Sequence, residues 1–185
     1  GPAPNEGGTT AGLRGHKFHE WEGGVRVPAV IKWANGFKEG RTVDQVMGYI
    51  DVLPTLKEVA GITTKSEKAL DGVSMFSVLE GKKQTIKRNL YLGYGAIVNN
   101  KWKLVKKDSR NSWMKVKEDM LFNIQEDPGE TINVKNNNPE IFKDLKRTLD
   151  KYDIIRPKQE VPSYQEGREG FKAPKEWNIE DYPKS

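Results

Sequence analysis

Two histidines, His16 and His19, stand on either side of Lys17, with Arg14 just before them and Glu22 and Arg26 just after. An i, i+3 pair of imidazoles suits a metal ion when the backbone is helical. Residues 1–24 are rich in glycine, which favours a loop, and no third ligand stands nearby. The two imidazoles are therefore expected to line a loop or a pocket wall. Arg14 has a fork that can meet an anion, but bracing the loop is the simpler use for it. Glu22 and Arg26 are a candidate structural ion pair beside the site. Gly23-Gly24 would let two backbones approach closely. A phosphate cradle would need a helix directly behind it, and none is evident. The chain has no cysteine, which excludes disulfides, thiolate zinc sites and cysteine nucleophiles within it. Two histidines leave little room for a Ser-His-Asp triad.

Charge is unevenly spread. Lys82 to Lys117 hold eleven Lys or Arg against one acid, Asp108, in a chain of net charge +5. Such a block attracts anionic substrate or polysaccharide, or forms the solvated face of a sheet. No helix-turn-helix, RNA-binding or zinc-finger pattern accompanies it, so nucleic acid is not an expected partner. Five Trp, six Phe and six Tyr argue against wholesale disorder, although hydrophobic residues are only 35% of the chain. No apolar run approaches the roughly 18 residues of a membrane span. The first residues lack the charged-then-apolar pattern of a signal peptide.

The elements that must position these residues are legible in outline. Val25 to Trp33 read as a short buried strand followed by an Asn35-Gly36 turn. Residues 44–60 have helical spacing, with a start at Asp51 or Pro54 and a stop at Gly61. Residues 73–80 suggest a short helix before Gly81. Strands are expected at Leu90–Tyr94, Ala96–Val98, Trp102–Lys106 and Met120–Asn123, with Asn99-Asn100 as a hairpin turn. Residues 139–154 read as an amphipathic helix with Asn138 as N-cap and Pro139 near its first turn. Residues 156–185, with four Pro and six charges of each sign, read as an extended tail. Asp51 is expected to be structural. Asp127-Pro128-Gly129-Glu130 reads as a turn, and Trp33, Trp102 and Trp113 as packing residues. Periodicity alone yields an α/β piece with an antiparallel sheet and a terminal helix.

The motifs go further. Leu13 to Pro28 (LRGHKFHEWEGGVRVP) resembles the LRGxKxxxxEGGxRVP segment of the sulfatase family, in the alkaline-phosphatase superfamily. Five more landmarks follow in that family's order: Ile31-Lys32-Trp33; Tyr49 to Leu56 (YIDVLPTL); Leu70 to Ser74 (LDGVS); Ala96 to Val105 (AIVNNKWKLV); and Leu121 to Ile124 with Asp127 to Asn133 (DPGETIN). Single matches are weak, but six in order are specific.

The resemblance implies that residues 1–81 finish an alkaline-phosphatase-like α/β domain. Residues 82–155 would form a small antiparallel sheet with a packed C-terminal helix, and 156–185 would lie outside the resemblance. It implies sulfate monoester hydrolysis by a formylglycine upstream of Gly1, with Lys17 binding the sulfate group. His19 is a secondary substrate contact, and Arg14, Glu22 and Arg26 are supports. Calcium ligands would also lie upstream, with none in this chain, so the chain alone is expected to be inactive. The implied partners are a sulfated small molecule or glycan and the missing N-terminal part of the catalytic domain. The implied location is periplasmic or extracellular. Two rivals fit the same residues: a non-catalytic module that holds anionic glycans, and a phosphodiester or phosphonate hydrolase of the same superfamily.

Overall fold

Four short strands form an antiparallel meander in the order β1-β2-β3-β4: β1 Leu90–Gly93, β2 Ala96–Val98, β3 Trp102–Val105 and β4 Met120–Asn123. The computed structural model describes residues 1–3, 7–37, 40–64, 68–107 and 114–155. Residues 1–153 form one compact unit. Trp113 and the tail expected over 156–185 lie outside the described residues. Tyr94 and Gly95 both take positive φ, as a tight hairpin turn between β1 and β2 requires. Asn99 Oδ1 accepts from the N–H groups of Lys101 and Trp102 and so caps the next hairpin.

Helix α4, Pro139–Ile154, packs on one face of this sheet. Leu145 and Leu149 meet Ile97, Leu104 and Leu121, and Tyr152 stacks on Tyr91 at 4.6 Å. The expected cap is half right. Asn138 O accepts from Phe142 N–H, but its side chain turns back to Val134 O. The opposite face carries Ala96, Val98, Val105 and Phe122, and Trp21 covers them. Both faces are thus buried. This is why the strands read as continuous apolar runs rather than alternating ones.

The expected helix in 44–60 is α2, Val52–Val59, entered through a 3₁₀ turn at Tyr49–Asp51. Pro54 falls in its first turn, where no N–H is needed. Gly61 ends it at φ +65, with Gly61 N–H on Glu58 O and Ile62 N–H on Lys57 O. Asp51 joins several segments here. Its carboxylate accepts from Gly48 and Val73 N–H and pairs with Arg88, while its carbonyl accepts from Thr55 Oγ1. A Cβ at Gly72 would sit 2.0 Å from Ile50 O, so only glycine lets this loop approach. Gln45 and Asn100 exchange two amide hydrogen bonds at 3.0 and 3.1 Å and tie this region to the β2–β3 hairpin. The short helix before Gly81 is α3, Phe76–Leu79.

One expected element is absent. Residues 22–25 form a single helical turn, α1 (Glu22–Val25), and 26–33 take no regular structure, with Val27 64% and Val30 96% exposed. A buried strand needs neighbours for its N–H and C=O groups and cover on both faces. No described strand lies beside this segment, because the meander pairs only with itself.

Candidate active site

The loop that carries Lys17 folds back on α1. Gly23 N–H donates to Arg14 O at 2.7 Å. A Cβ on Gly24 would fall 2.1 Å from His19 O and 2.6 Å from His16 O, and one on Gly23 would meet Arg14 O and Gly15 O at 2.6 Å. The paired glycines therefore serve close backbone packing. They are not an anion cradle: the N–H groups of Glu22, Gly23 and Gly24 are all taken within the protein.

Lys17 is exposed, with its N–H on Pro2 O at 2.9 Å and its ammonium 5.2 Å from the Phe18 ring centroid. Phe18 has φ +75, a conformation that a bulky residue holds only under constraint. The two imidazoles stand 3.9 Å apart, centroid to centroid. His16 N–H donates to His19 Nδ1 at 3.3 Å, and His16 Nδ1 lies 2.8 Å from Lys17 O. A carbonyl can only accept, so His16 carries its proton on Nδ1. Both Nδ1 atoms are thus engaged within the loop.

Beneath the loop lies a buried ion cluster. Lys103 Nζ is 2.9 Å from Glu22 Oε1 and 3.0 Å from Glu130 Oε1, and neither Lys103 nor Glu130 has any exposure. Glu130 Oε2 accepts from Glu22 N–H at 2.6 Å, and Glu130 O accepts from Arg14 Nη1 at 3.0 Å. The Arg14 guanidinium also stacks over the Trp21 ring at 3.7 Å. Arg26 is 3.8 Å from Glu22 on a side chain 58% exposed, so Glu22 is held mainly by Lys103 rather than by Arg26. Burial pushes the Glu130 carboxyl above its ordinary pKa, against the opposing pull of Lys103 and of the Glu22 N–H.

Sequence reasoning missed Lys103, Glu130 and Arg88. Lys103 was counted in the basic block, yet Trp102, Leu104 and Val105 surround it. A lone cation inside an apolar strand was the available signal. Glu130 passed as part of a turn. Asp127 does make that turn, accepting from the N–H groups of Thr131 and Ile132, but Glu130 at φ +53 aims its carboxylate into the core. The basic block is not one free face. Arg88 and Lys103 turn inward, Lys82 pairs with Glu80, and Lys106 pairs with Asp150.

A cleft of about 230 Å³ opens beside the loop, lined by residues that include Arg14, Trp21, Met114, Lys115, Lys117 and Glu118. Its cations outnumber its one acid, and Glu118 is already paired with Lys135 at 3.0 Å. Among the described residues no group of three or more His, Asp or Glu could hold a metal ion. Three of the buried acids, Asp51, Glu22 and Glu130, are bound to cations of the protein, so they do not fit a calcium site. Among the described residues no helix is long and apolar enough to cross a membrane.

The sequence pattern of the family described as "N-sulphoglucosamine sulphohydrolase, C-terminal" matches residues 15–154. The chain belongs to this family. Human (Homo sapiens) steryl-sulfatase is 33% identical over 78 residues, which is 42% of this chain and 13% of that protein. The ulvan-active sulfatase of Formosa agariphila is 37% identical over 75 residues, 40% of this chain and 15% of that protein. The match thus spans a small fraction of each relative. A solved Bacteroides thetaiotaomicron protein, described under the metabolism of multiple glycosaminoglycans, superposes with a TM-score of 0.63 at 22% identity. The superposition covers 77% of this chain and 32% of that one. The resemblance carried by the six landmarks is therefore borne out. The α+β architecture of the sheet and α4 is that of a sulfatase C-terminal region.

Proposed function

We propose that this chain is the C-terminal part of an exported enzyme that hydrolyses sulfate monoesters, with Lys17 as the residue that binds the sulfate group. The observation that carries the reading is the placement of Lys17. It is an exposed ammonium on a loop tied down at both ends, inside the segment that matches the family. A sulfate monoester spreads its charge over three terminal oxygens, and a fixed ammonium gains most as the bond to the leaving oxygen breaks. His19 lies within the same loop and is the secondary contact. Arg14, Glu22 and Arg26 hold the loop rather than the substrate.

Formylglycine and calcium would come from residues outside this chain. When bound, calcium would supply a second charge on the sulfate oxygens. Lys115 and Lys117 in the cleft favour a substrate with anionic groups beyond the ester being cleaved, such as a sulfated glycan, over a simple aryl sulfate. Exposed apolar residues on α2 and nearby, Tyr49 (90%), Leu53 (55%) and Leu56 (58%), fit a partner surface for the remainder of the catalytic domain.

The test is Lys17→Ala in the full-length gene product, assayed on an aryl sulfate and on a sulfated glycan. Loss of one such transition-state contact is expected to lower kcat by about 10²–10³-fold. A variant within about threefold of the parent, on the scale that mutant kinetics resolve, removes Lys17 from the mechanism.

A further inference from the structure

Glu130 closes the Lys17 loop at both ends. Its main-chain oxygen accepts from Arg14, and its carboxylate accepts from the N–H of Glu22. Lys103 in turn holds the carboxylates of both Glu130 and Glu22. From Glu22 the constraint passes through α1, where Gly23 donates to Arg14 O and Gly24 seats the carbonyls of His16 and His19. Lys17 and the positive-φ Phe18 lie between those two histidines.

We infer that Lys103, acting with Glu130, is a positioning residue that fixes where the Lys17 ammonium stands. The inference rests on the reading of Lys17 given under Proposed function. Lys103 has no exposure and cannot reach substrate, so it acts only through the loop. Stability alone does not explain an ion here, because an apolar residue of the same volume commonly serves a core as well or better. What a charge adds is direction: one ammonium between two carboxylates fixes α1 and the 127–131 turn relative to each other. Residues 22, 103 and 130 belong to three of the motif segments, and these segments meet at this point.

The test is a double-mutant cycle in the full-length enzyme, reading sulfate ester hydrolysis for Lys17→Ala, Lys103→Met and the two combined. Lys103→Met alone is expected to lower kcat/KM by about 10²-fold, the cost of a displacement near 1 Å. In the Lys17→Ala background it should add less than about threefold, because the group being positioned is already gone. Lys103→Arg should recover part of the loss. An equal cost in both backgrounds, or a folded Lys103→Met enzyme with parental kcat/KM, overturns the inference. The two readings fail separately: a fully active Lys17→Ala enzyme sinks the role of Lys17, whereas a costly Lys17→Ala with additive effects sinks only the positioning. Where Lys103→Met does not fold, Lys103→Met combined with Glu130→Gln takes its place with the same expectations. That pair removes one charge of each sign, so Glu22 alone loses its buried partner and keeps Arg26.

Discussion

Replacing Lys103 by methionine keeps most of the stem and deletes the charge. The ammonium lies 2.9 and 3.0 Å from two carboxylates in a fully buried position. At an effective dielectric near 20, each contact is worth about 6 kcal/mol before desolvation is subtracted. The variant leaves both carboxylates without that partner. The remaining cation beside them, Arg26, is 3.8 Å from Glu22 on a largely exposed side chain and compensates little. Breaking a buried pair in this way costs about 3–5 kcal/mol, a large share of the roughly 5–15 kcal/mol that holds a domain together. The cost should also depend on pH. Burial already raises the Glu130 pKa while Lys103 opposes the rise, so removing Lys103 lets it rise further. A carboxyl raised above its unfolded value of about 4.3 contributes stability that is complete below that value and is lost as pH rises through the folded pKa. The variant should therefore lie closest to the parent near pH 4 and fall away toward pH 8. Urea unfolding of the 185-residue chain, followed by tryptophan fluorescence across that range, measures it. A penalty below about 1 kcal/mol at pH 8, or one that does not change with pH, would refute the claim that this ammonium holds the two carboxylates.

Glu130→Gln should gain on the parent as pH rises through the raised Glu130 pKa, because the parent alone bears the cost of ionising there; a stability difference that is flat with pH contradicts that cost. Asp51→Ala leaves Arg88 without its carboxylate and two N–H groups without acceptors, so it should cost about 3–5 kcal/mol. Calorimetry should then show a melting point lower by at least about 6 °C, and a fall of less than about 2 °C would remove Asp51 as an anchor. Gly24→Ala places a methyl group 2.1 Å from His19 O. Hydrogen exchange should speed up in residues 14–19 while α4 stays protected, and an unchanged loop contradicts the close packing.

What the sequence determined was local. Gly61 supplied the αL residue that ends α2, and the apolar stripe of 139–154 marked the face that α4 buries. The spacing from Asp51 to Thr55, one helical turn, placed Thr55 Oγ1 on Asp51 O. The strands were legible because both faces are buried, which leaves continuous apolar runs. The order of the motifs gave the family, since such order survives where contacts cannot be read. The Val25–Trp33 strand failed because pattern reports apolarity but not whether a neighbouring strand exists. The site was decided by tertiary structure. Whether Lys103 faces solvent or two carboxylates depends on which residues, 81 positions before and 27 after, fold over its face of β3. Composition counted it among free charges. Only the folded chain shows that it is spent on Glu22 and Glu130, while Lys17, 86 positions earlier, stands exposed on the loop.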